Sequence, residues 1–275
     1  MLRKSLLLFI IAALAGTILC VHELLMLPDG RLHIFFMDVG QGDSALIVTP
    51  SGKQVVIDGG PDDSAIRELG RHMPFFDRTI DLLILSHPDL DHVFSFPEIL
   101  RRYRVGRILM TGIQGDAPRY KELLTVIKEQ RIPVWIADPA HDLDMGDGVL
   151  FDIVWPPPTL LGARREDTNN TSIVLRVLYG TGSALFTGDM EEKEEREVLA
   201  SGGDLRAMVL KAGHHGSKTS SGTGFLLAIG PRLAAISSGR KNSYGHPHAL
   251  VLERLRTLGI AIRGTATEGT IELMW

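Results

Sequence analysis

The chain has 275 residues, of which 44% are hydrophobic and 29 are glycine, so it is long and apolar enough to bury a sizeable core in one domain. The formal net charge of −4 argues against a protein that holds nucleic acid strongly and without specificity, because such binding needs clustered lysines and arginines. Cys20 is the only cysteine, which excludes an intrachain disulfide and a cysteine-based metal site.

The first residues differ in character from the rest of the chain. Arg3 and Lys4 precede an uncharged apolar run over residues 6–21. This pattern is typical of a signal peptide or of a short membrane anchor, and it separates residues 1–23 from a main domain over residues 30–275. We favour a retained anchor, with the main domain outside the cytoplasm because the positive end stays inside. A cleaved signal would instead make the protein secreted.

Short apolar strands alternate with helical patterns through the main domain. The predicted strands cover residues 32–37, 45–49, 54–58, 80–85, 107–110, 134–137, 149–155, 173–179, 184–187, 207–211, 234–237 and 270–274. The predicted helices cover residues 64–72, 96–103, 120–130, 191–201 and 248–258. Two sheets with helices on their outer faces suit this alternation, so we expect an α/β fold.

The densest patch of metal-binding side chains follows the strand predicted over residues 80–85. It reads Ser86-His87-Pro88-Asp89-Leu90-Asp91-His92. The proline biases its predecessor away from helix, which places the polar residues on a loop. Two histidines and two aspartates offer the mixed nitrogen and oxygen ligands that suit Zn²⁺, Mn²⁺ or Fe²⁺. The stretch therefore predicts a metal site, and a solvated acidic turn is the alternative.

Three other predicted strands also end in aspartate or histidine. The strand over residues 54–58 ends at Asp58, which two glycines follow. The strand over residues 184–187 leads into Gly188 and Asp189, and the next strand leads into the pair His214-His215. Neighbouring glycines let the backbone turn sharply and approach a small ion closely. Core packing alone does not account for four such strand ends.

The order of these motifs resembles the metallo-β-lactamase fold superfamily, and within it the hydrolase domain of ComEC-type DNA-uptake proteins. The resemblance is carried by residues 37–44, 87–92, 170–172, 188–189, 214–218 and 242–247. It implies an α/β fold of the four-layer αββα sandwich type, with the N-terminal hydrophobic segment outside it. It also implies a hydrolase that uses one or two divalent metal ions.

The resemblance implies a set of metal ligands. They are His87, Asp89, Asp91, His92, Asp189 and one of His214 and His215. In the superfamily, the first two residues of the loop motif bind one metal, its Asp-His pair binds the other, and a later aspartate bridges both. Asp189 matches that bridging aspartate. The sequence does not say which member of the histidine pair is the late ligand.

Two departures from the superfamily pattern change the expected metal. Asp89 stands where a histidine is usual, and the expected middle histidine has no match near Asn170. The first site then keeps only His87, Asp89 and Asp189, a harder ligand set that moves the preference from Zn²⁺ toward Mn²⁺ or Mg²⁺. The second site still suits Zn²⁺. We therefore expect Zn²⁺ or Mn²⁺, with one or two ions bound.

Other residues are assigned supporting roles. Asp58 resembles a carboxylate that receives a hydrogen bond from a ligand histidine and fixes its tautomer. The alternative of equal weight is an aspartate that caps the turn at the end of its strand. Asp91 and His246 are the predicted catalytic residues, with His246 as proton donor or phosphate-binding group, or simply a histidine of its turn. Ser217 and Lys218 are candidates for contact with an anion. Asn170 is a candidate for contact with a metal ligand or with the substrate.

A metal-bound hydroxide is available at neutral pH, which makes hydrolysis the expected chemistry. The resemblance implies a phosphodiesterase that acts on DNA. The alternatives are a hydrolase of another ester or lactam, because a fold does not fix a substrate, and a catalytically degenerate accessory module of DNA uptake. The expected partners are DNA and, through the N-terminal segment, the membrane. A role in translocation would use a separate membrane channel protein, since the channel part of ComEC-type proteins has no counterpart in this sequence.

Overall fold

The computed structural model describes residues 2–275, without the side chains of residues 2, 3, 5, 6 and 158. Its first element is helix α1 (Leu2–Leu25). Within it, Leu7–Leu25 are apolar enough to cross a membrane, with a mean hydropathy of 2.2, and none of this span is buried. Such a helix is typical of a membrane anchor or a signal sequence. Of the segment predicted over residues 1–23, Met1 lies outside the described residues.

Short strands and helices make up the rest of the chain. The strands are β1 (His33–Phe36), β2 (Ala45–Val48), β3 (Gln54–Ile57), β4 (Thr79–Ile80), β5 (Leu82–Ile84), β6 (Arg104–Val105), β7 (Ile108–Met110), β8 (Val134–Ile136), β9 (Leu143–Asp144), β10 (Val149–Trp155), β11 (Val174–Tyr179), β12 (Gly182–Phe186), β13 (Val209–Lys211), β14 (Leu233–Ile236), β15 (Ala261–Gly264) and β16 (Ile271–Met274). The helices are α2 (Ser64–His72), α3 (Leu90–Val93), α4 (Phe96–Arg102), α5 (Pro118–Gln130), α6 (Glu192–Ser201), α7 (Thr223–Ile229), α8 (Ala249–Thr257) and α9 (Thr265–Glu268).

Two seven-stranded sheets form the centre of the domain. The first has the order β16-β1-β2-β3-β5-β7-β8, and the second has the order β15-β14-β13-β12-β11-β10-β9. In each sheet, strands on one side pair antiparallel and those on the other side pair parallel, from β3 to β8 and from β12 to β15. A separate two-stranded sheet joins β4 and β6.

Alternation along the strands divides the apolar side chains among three hydrophobic layers. In β1, Ile34 and Phe36 lie in the core between the two sheets, where the Phe36 ring stacks on Phe186 at 5.5 Å. Phe35 points the other way and packs with residues of α2, α4 and α5. A third core lies between the second sheet and helices α6, α7 and α8. Strands with a period of two thus build four layers, helix, sheet, sheet and helix.

The predicted α/β class and the four-layer order are confirmed. Each predicted strand and helix has a counterpart in the structure. The strand predicted over residues 80–85 was wrong in extent, because Asp81 interrupts it and its two parts, β4 and β5, join different sheets. The prediction missed β6, β9 and β15, and helices α3, α7 and α9, all of them short elements. Short elements give too few residues for a periodicity to show.

The parallel strands bring their carboxyl ends to one edge of the sandwich. In the first sheet, β3 is followed by Asp58 and β5 by the loop from Ser86 to His92. In the second sheet, β12 leads to Asp189 and β13 to the turn Gly213–Gly216. Loops at such strand ends are the usual place for a site in α/β folds.

Candidate metal centre

Four side chains from the two sheets meet at this edge. Asp91, His92, Asp189 and His215 each offer one ligand atom, and these atoms all lie within 4.8 Å of one another. The Nε2 atom of His215 lies 3.2 Å from Asp91 Oδ2 and 3.2 Å from Asp189 Oδ2. The Nε2 atom of His92 lies 3.3 Å from Asp189 Oδ2. All of these residues except half-buried Asp91 are buried. We refer to them as the four-residue cluster.

The backbone around the cluster is shaped for close approach. Gly188, directly before Asp189, has φ +50°, and a Cβ there would lie 2.7 Å from the Oγ of Ser172. His214 and His215 both adopt left-handed backbone conformations, with φ 47° and 54°. Such conformations are uncommon for residues other than glycine and cost free energy. These backbone conformations lower the stability of the fold, and they direct the His215 side chain toward Asp189.

His92 is held from behind by Asp58. The Nδ1 atom of His92 lies 2.9 Å from Asp58 Oδ2. Asp58 also accepts hydrogen bonds from the backbone amide and hydroxyl of Ser86, at 2.8 and 2.7 Å. Because a carboxylate only accepts hydrogen bonds, Nδ1 of His92 carries the proton. In the neutral imidazole, Nε2 then presents a lone pair toward Asp189.

His215 is held in the same manner by a second carboxylate. Its Nδ1 atom lies 3.1 Å from Asp43 Oδ1 and 3.1 Å from the carbonyl oxygen of Ser237, and both atoms are acceptors. The other oxygen of Asp43 lies 2.6 Å from Nζ of Lys211, which is itself buried. The neutral His215 ring therefore also turns a lone pair on Nε2 toward the aspartates of the cluster.

The donor set fits a divalent cation. Three buried atoms, Nε2 of His87, Nε2 of His92 and Oδ1 of Asp189, have no hydrogen-bond partner within residues 2–275. Buried polar atoms are normally paired, so each of these needs an explanation. Imidazole lone pairs and carboxylate oxygens that face one another repel unless positive charge lies between them. Mixed histidine and aspartate ligands of this kind are those that bind Zn²⁺ and related ions.

The electrostatics of the cluster agree with this interpretation. Burial opposes ionisation of Asp189, but His215 and His92 outweigh it and hold the pKa of Asp189 well below its usual value. Burial likewise opposes charge on His92 and His215, yet Asp189 outweighs it and raises the pKa of both histidines well above the usual value. The negative potential that retains protons on these rings also attracts a metal cation, which takes the place of the protons.

His87 and Asp89 lie beside the four-residue cluster. The His87 ring centroid is 4.1 Å from that of His92, and His87 Nε2 lies 3.8 Å from Asp89 Oδ2. Burial, and then the neighbouring His92, lower the pKa of His87 and so favour its neutral, metal-binding form. Asp89 accepts a hydrogen bond from the Thr168 hydroxyl. Neither His87 nor Asp89 belongs to the four-residue cluster as the described residues form it, so their role as ligands of a second ion stays a prediction.

Of the two adjacent histidines, His215 is the one in the cluster. His214 Nε2 lies 3.9 Å from Asp189 Oδ2, and its Nδ1 lies 3.3 Å from Glu191 Oε1. Its side chain is 24% exposed, against 2% for His215. His214 therefore lies at the rim of the cluster, where it is partly exposed to solvent.

Three other predicted residues lie further out. Asn170 donates to Asp167 Oδ2 at 2.5 Å and accepts from the Glu191 amide at 3.0 Å, which ties its amide into the surrounding loop. The hydroxyl of buried Ser217 pairs with that of Thr219 at 3.0 Å. Lys218 is exposed. None of the three belongs to the cluster as the described residues form it.

His246 covers the cluster from the loop that precedes α8. Its ring centroid lies 5.6 Å from that of His214 and 6.3 Å from that of His215. Its Nδ1 atom lies 3.4 Å from Nε2 of Gln41. Burial, followed by His214 and His215, lowers the pKa of His246 to about 4. Its imidazole is therefore neutral near pH 7 and offers one donor and one acceptor rather than a positive charge.

Sequence reasoning missed Asp43 and Lys211, which together support His215. One signal was available in the sequence, because Lys211 ends an otherwise apolar buried strand, where a lysine needs a partner. The structure adds a contact that the sequence did not signal: a Cβ at Gly42, directly before Asp43, would lie 2.4 Å from the carbonyl oxygen of Asp91. The turn that carries Asp43 thus packs directly against the metal loop.

Comparison with known proteins gives matches over most of the chain. The family model described as "Metallo-beta-lactamase superfamily" matches residues 37–240. Over 257 residues, the chain is 31% identical to ComE operon protein 3 of Bacillus subtilis (strain 168). The aligned region covers 87% of this chain and 32% of that protein. Over 250 residues, it is 34% identical to Competence protein ComA of Neisseria gonorrhoeae. The aligned region covers 89% of this chain and 32% of that protein. The chain spans about a third of the length of these relatives.

A solved structure has the same fold. The metallo-beta-lactamase fold protein YhfI from Bacillus subtilis superposes with a TM-score of 0.60 over 89% of this chain and 100% of its own. The two sequences are only 10% identical, so the likeness concerns the fold alone.

Proposed function

Because the chain belongs to the metallo-beta-lactamase superfamily, whose fold implies a metal-dependent hydrolase, we propose that it is a phosphodiesterase that cleaves DNA in connection with DNA uptake. The single observation that carries the proposal is the four-residue cluster, in which two histidine lone pairs and two carboxylates converge within 4.8 Å. Competence proteins among its relatives support DNA as the substrate.

We assign one ion to the four-residue cluster, where two histidines and two aspartates suit Zn²⁺. His87 and Asp89, with Asp189 in common, would hold a second ion, and the larger share of carboxylate there suits Mn²⁺. A bound divalent cation supplies Lewis acidity and lowers the pKa of a coordinated water toward neutrality. The residues of the protein then have to position the substrate and to donate or accept protons.

Residues at the rim are placed for those tasks. Asp91 is the only half-buried member of the cluster, so it faces the substrate side, and we assign it a catalytic role as well as a ligand role. His246, with Gln41 beside its Nδ1, is positioned to contact a phosphate oxygen or the leaving group. We further propose that Lys218, exposed in the turn that follows His215, contacts substrate phosphate.

A cleft beside the cluster offers room for an extended anionic substrate. It measures about 460 Å³, and its charged lining residues are two arginines, Arg164 and Arg165, and three acidic residues, Asp89, Asp116 and Glu166. Both arginines are exposed, and Arg164 pairs with Asp116 in the same cleft. Guanidinium groups are suited to bidentate recognition of phosphate.

We propose that α1 anchors the domain over residues 30–275 at the membrane, with the cleft outside the cytoplasm.

The test is a substrate panel on the full-length protein purified in detergent and loaded with Mn²⁺ or Zn²⁺. It comprises single-stranded DNA, duplex DNA, bis(4-nitrophenyl) phosphate, a β-lactam and a thioester. We expect cleavage of DNA and of the small phosphodiester. Asp189→Asn, which keeps the size of the side chain but removes its charge, should lose both bound metal and turnover. Glu129→Gln makes the same chemical change at an exposed position on α5 and should lose neither.

The other outcomes separate the alternatives. Hydrolysis of the β-lactam or thioester without cleavage of any phosphodiester would identify a hydrolase of another ester or lactam. A metal-loaded protein that binds DNA and hydrolyses nothing would be an accessory module. Turnover that survives Asp189→Asn would place the catalytic site elsewhere.

A further inference from the structure

The loop between β14 and α8, residues 237–248, places an exposed aromatic ring beside the metal centre. Tyr244 is 70% exposed and lies on this loop, two residues before His246. We propose that Tyr244 is a stacking platform for a nucleobase of a single-stranded DNA substrate, next to the phosphate that is cleaved. This inference rests on the proposed function, since it names the form of DNA that the same site takes.

The loop is held rigidly by the side chain of Asn242. Its Nδ2 donates to the carbonyl oxygens of Gly239 and His246, at 2.8 and 2.6 Å. Its Oδ1 accepts from the backbone amides of Tyr244 and His246, at 3.1 and 2.9 Å. One half-buried amide group therefore makes hydrogen bonds at both ends of the turn. A loop backbone held in this way needs little further ordering when a ligand binds.

Tyr244 makes few contacts that would explain it as a structural residue. Its ring is stacked on that of His246, with the centroids 5.8 Å apart and the planes 26° from parallel. Within residues 2–275 its hydroxyl makes no hydrogen bond. With 70% of the residue exposed, one face of the ring is left open to solvent. A single exposed aromatic side chain is common on protein surfaces. The location of Tyr244 beside the metal centre is what indicates a role in binding.

The position of Tyr244 relative to the cluster fits a nucleotide that neighbours the reacting phosphate. His246 lies against the rims of His214 and His215, at 5.6 and 6.3 Å between ring centroids. Tyr244 stacks on His246 in turn, so the rings of His214, His246 and Tyr244 lie in succession. A strand with its phosphate at the metal centre would thus bring an adjacent base over the open face of Tyr244.

The charges around the ring suit a nucleic acid backbone. Arg240 and Lys241 are exposed in the same loop, and Lys218 is exposed in the turn after His215. Arg240 is fixed by a hydrogen bond from its Nε to the carbonyl oxygen of Ala266 at 2.9 Å. Aromatic side chains flanked by positive charge are the usual means of holding single strands without sequence preference. In a duplex the bases are already stacked on one another, so the platform selects single-stranded DNA.

The experiment measures kcat and KM of the full-length, Mn²⁺-loaded protein on fluorescent oligodeoxynucleotides. Replacing an aromatic residue that stacks on a base with alanine weakens binding of the nucleic acid about 5- to 150-fold. We expect Tyr244→Ala to raise KM within that range while kcat changes little, and Tyr244→Phe to behave like the wild type because it keeps the ring. Phe76→Ala removes another exposed aromatic ring, on the loop before β4, and should leave KM unchanged.

Abasic nucleotides in the substrate provide the complementary perturbation. Removing the base at one position near the cleaved bond should raise KM for the wild type and have no further effect on Tyr244→Ala. An unchanged KM for Tyr244→Ala on oligonucleotides that the wild type cleaves would overturn this inference and leave the proposed function intact. Equal cleavage of single strands and duplexes would also overturn it. A wild type that cleaves no oligonucleotide would refute the proposed function and this inference together.

Discussion

Asp43 is expected to set the metal affinity of the four-residue cluster although it lies outside that cluster. It contacts Nδ1 of His215 through Oδ1 at 3.1 Å and Nζ of Lys211 through Oδ2 at 2.6 Å. Removing a carboxylate that orients a ligand histidine typically costs about 10- to 100-fold in metal affinity. We expect Asp43→Asn to weaken binding of Zn²⁺ or Mn²⁺ by a factor in this range.

The same substitution should also destabilise the fold, for a separate reason. Lys211 is 3% exposed, and without Asp43 its charge is buried and unpaired. Breaking one side of a buried ion pair costs about 3–5 kcal/mol. The double variant Asp43→Asn/Lys211→Met removes both charges and should regain most of that stability, because replacing a whole buried pair is often close to neutral. Its metal affinity should stay low, since His215 still lacks its carboxylate.

Two assays separate the effects: competition for metal against a chelating dye, and urea unfolding of the metal-free protein. Asp152→Asn is the matched control, since it breaks the pair between Asp152 and Arg176 in β10 and β11. It should lower stability and leave metal affinity unchanged. If the double variant binds metal as tightly as the wild type, Asp43 serves only to neutralise Lys211 and the reasoning is refuted.

Three further predictions concern the metals and a buried carboxyl group. Loading with metal at about 100 times its dissociation constant should stabilise the fold by about 2.7 kcal/mol, or roughly 5–10 °C in Tm, and a chelator should reverse the shift; scanning calorimetry measures both. His87→Ala should reduce bound metal from two ions per chain to one, because the four-residue cluster is kept; elemental analysis after gel filtration decides this, and an unchanged stoichiometry would count against a second ion at His87. Burial raises the pKa of Glu195 to about 7, against the opposing hydrogen bonds from the amides of Gly222 and Ser221. Since the folded protein then binds this proton more tightly than the unfolded chain, stability should fall as pH rises from about 5 to 8, and Glu195→Gln should flatten that part of the pH profile of Tm.

The strands were predictable because most are short apolar runs, several of them buried on both faces. The run from His33 to Phe36 sends side chains to two different cores, and the same alternation recurs in β10 and β11. The prediction failed where a residue acts through its partners rather than its pattern. Asp81 accepts a hydrogen bond from the amide of Gln54 at 2.8 Å and marks the point where one apparent strand divides into two. No periodicity in residues 80–85 signals that division.

The cluster was predictable in composition and only partly in geometry. Histidines and aspartates at strand ends can be found in the sequence, whereas the choice between His214 and His215 depends on where two left-handed residues aim their side chains. The supporting contacts are less visible still. Asp43 and His215 are 172 positions apart, and their hydrogen bond exists only because the two sheets pack face to face. Sequence reasoning therefore finds ligands more readily than the groups that orient them.

The arrangement of the ligands explains why the sandwich itself is part of the metal centre. Asp91 and His92 follow a strand of the first sheet, and Asp189 and His215 follow strands of the second. An ion in the cluster therefore links the two sheets, as the hydrogen bond between Asp43 and His215 already does without it. Because the ligand atoms lie within 4.8 Å across this junction, a small shift of one sheet against the other would separate them. Metal affinity and the packing between the sheets are thus coupled, which is why stabilisation by metal reports on the whole sandwich rather than on one loop.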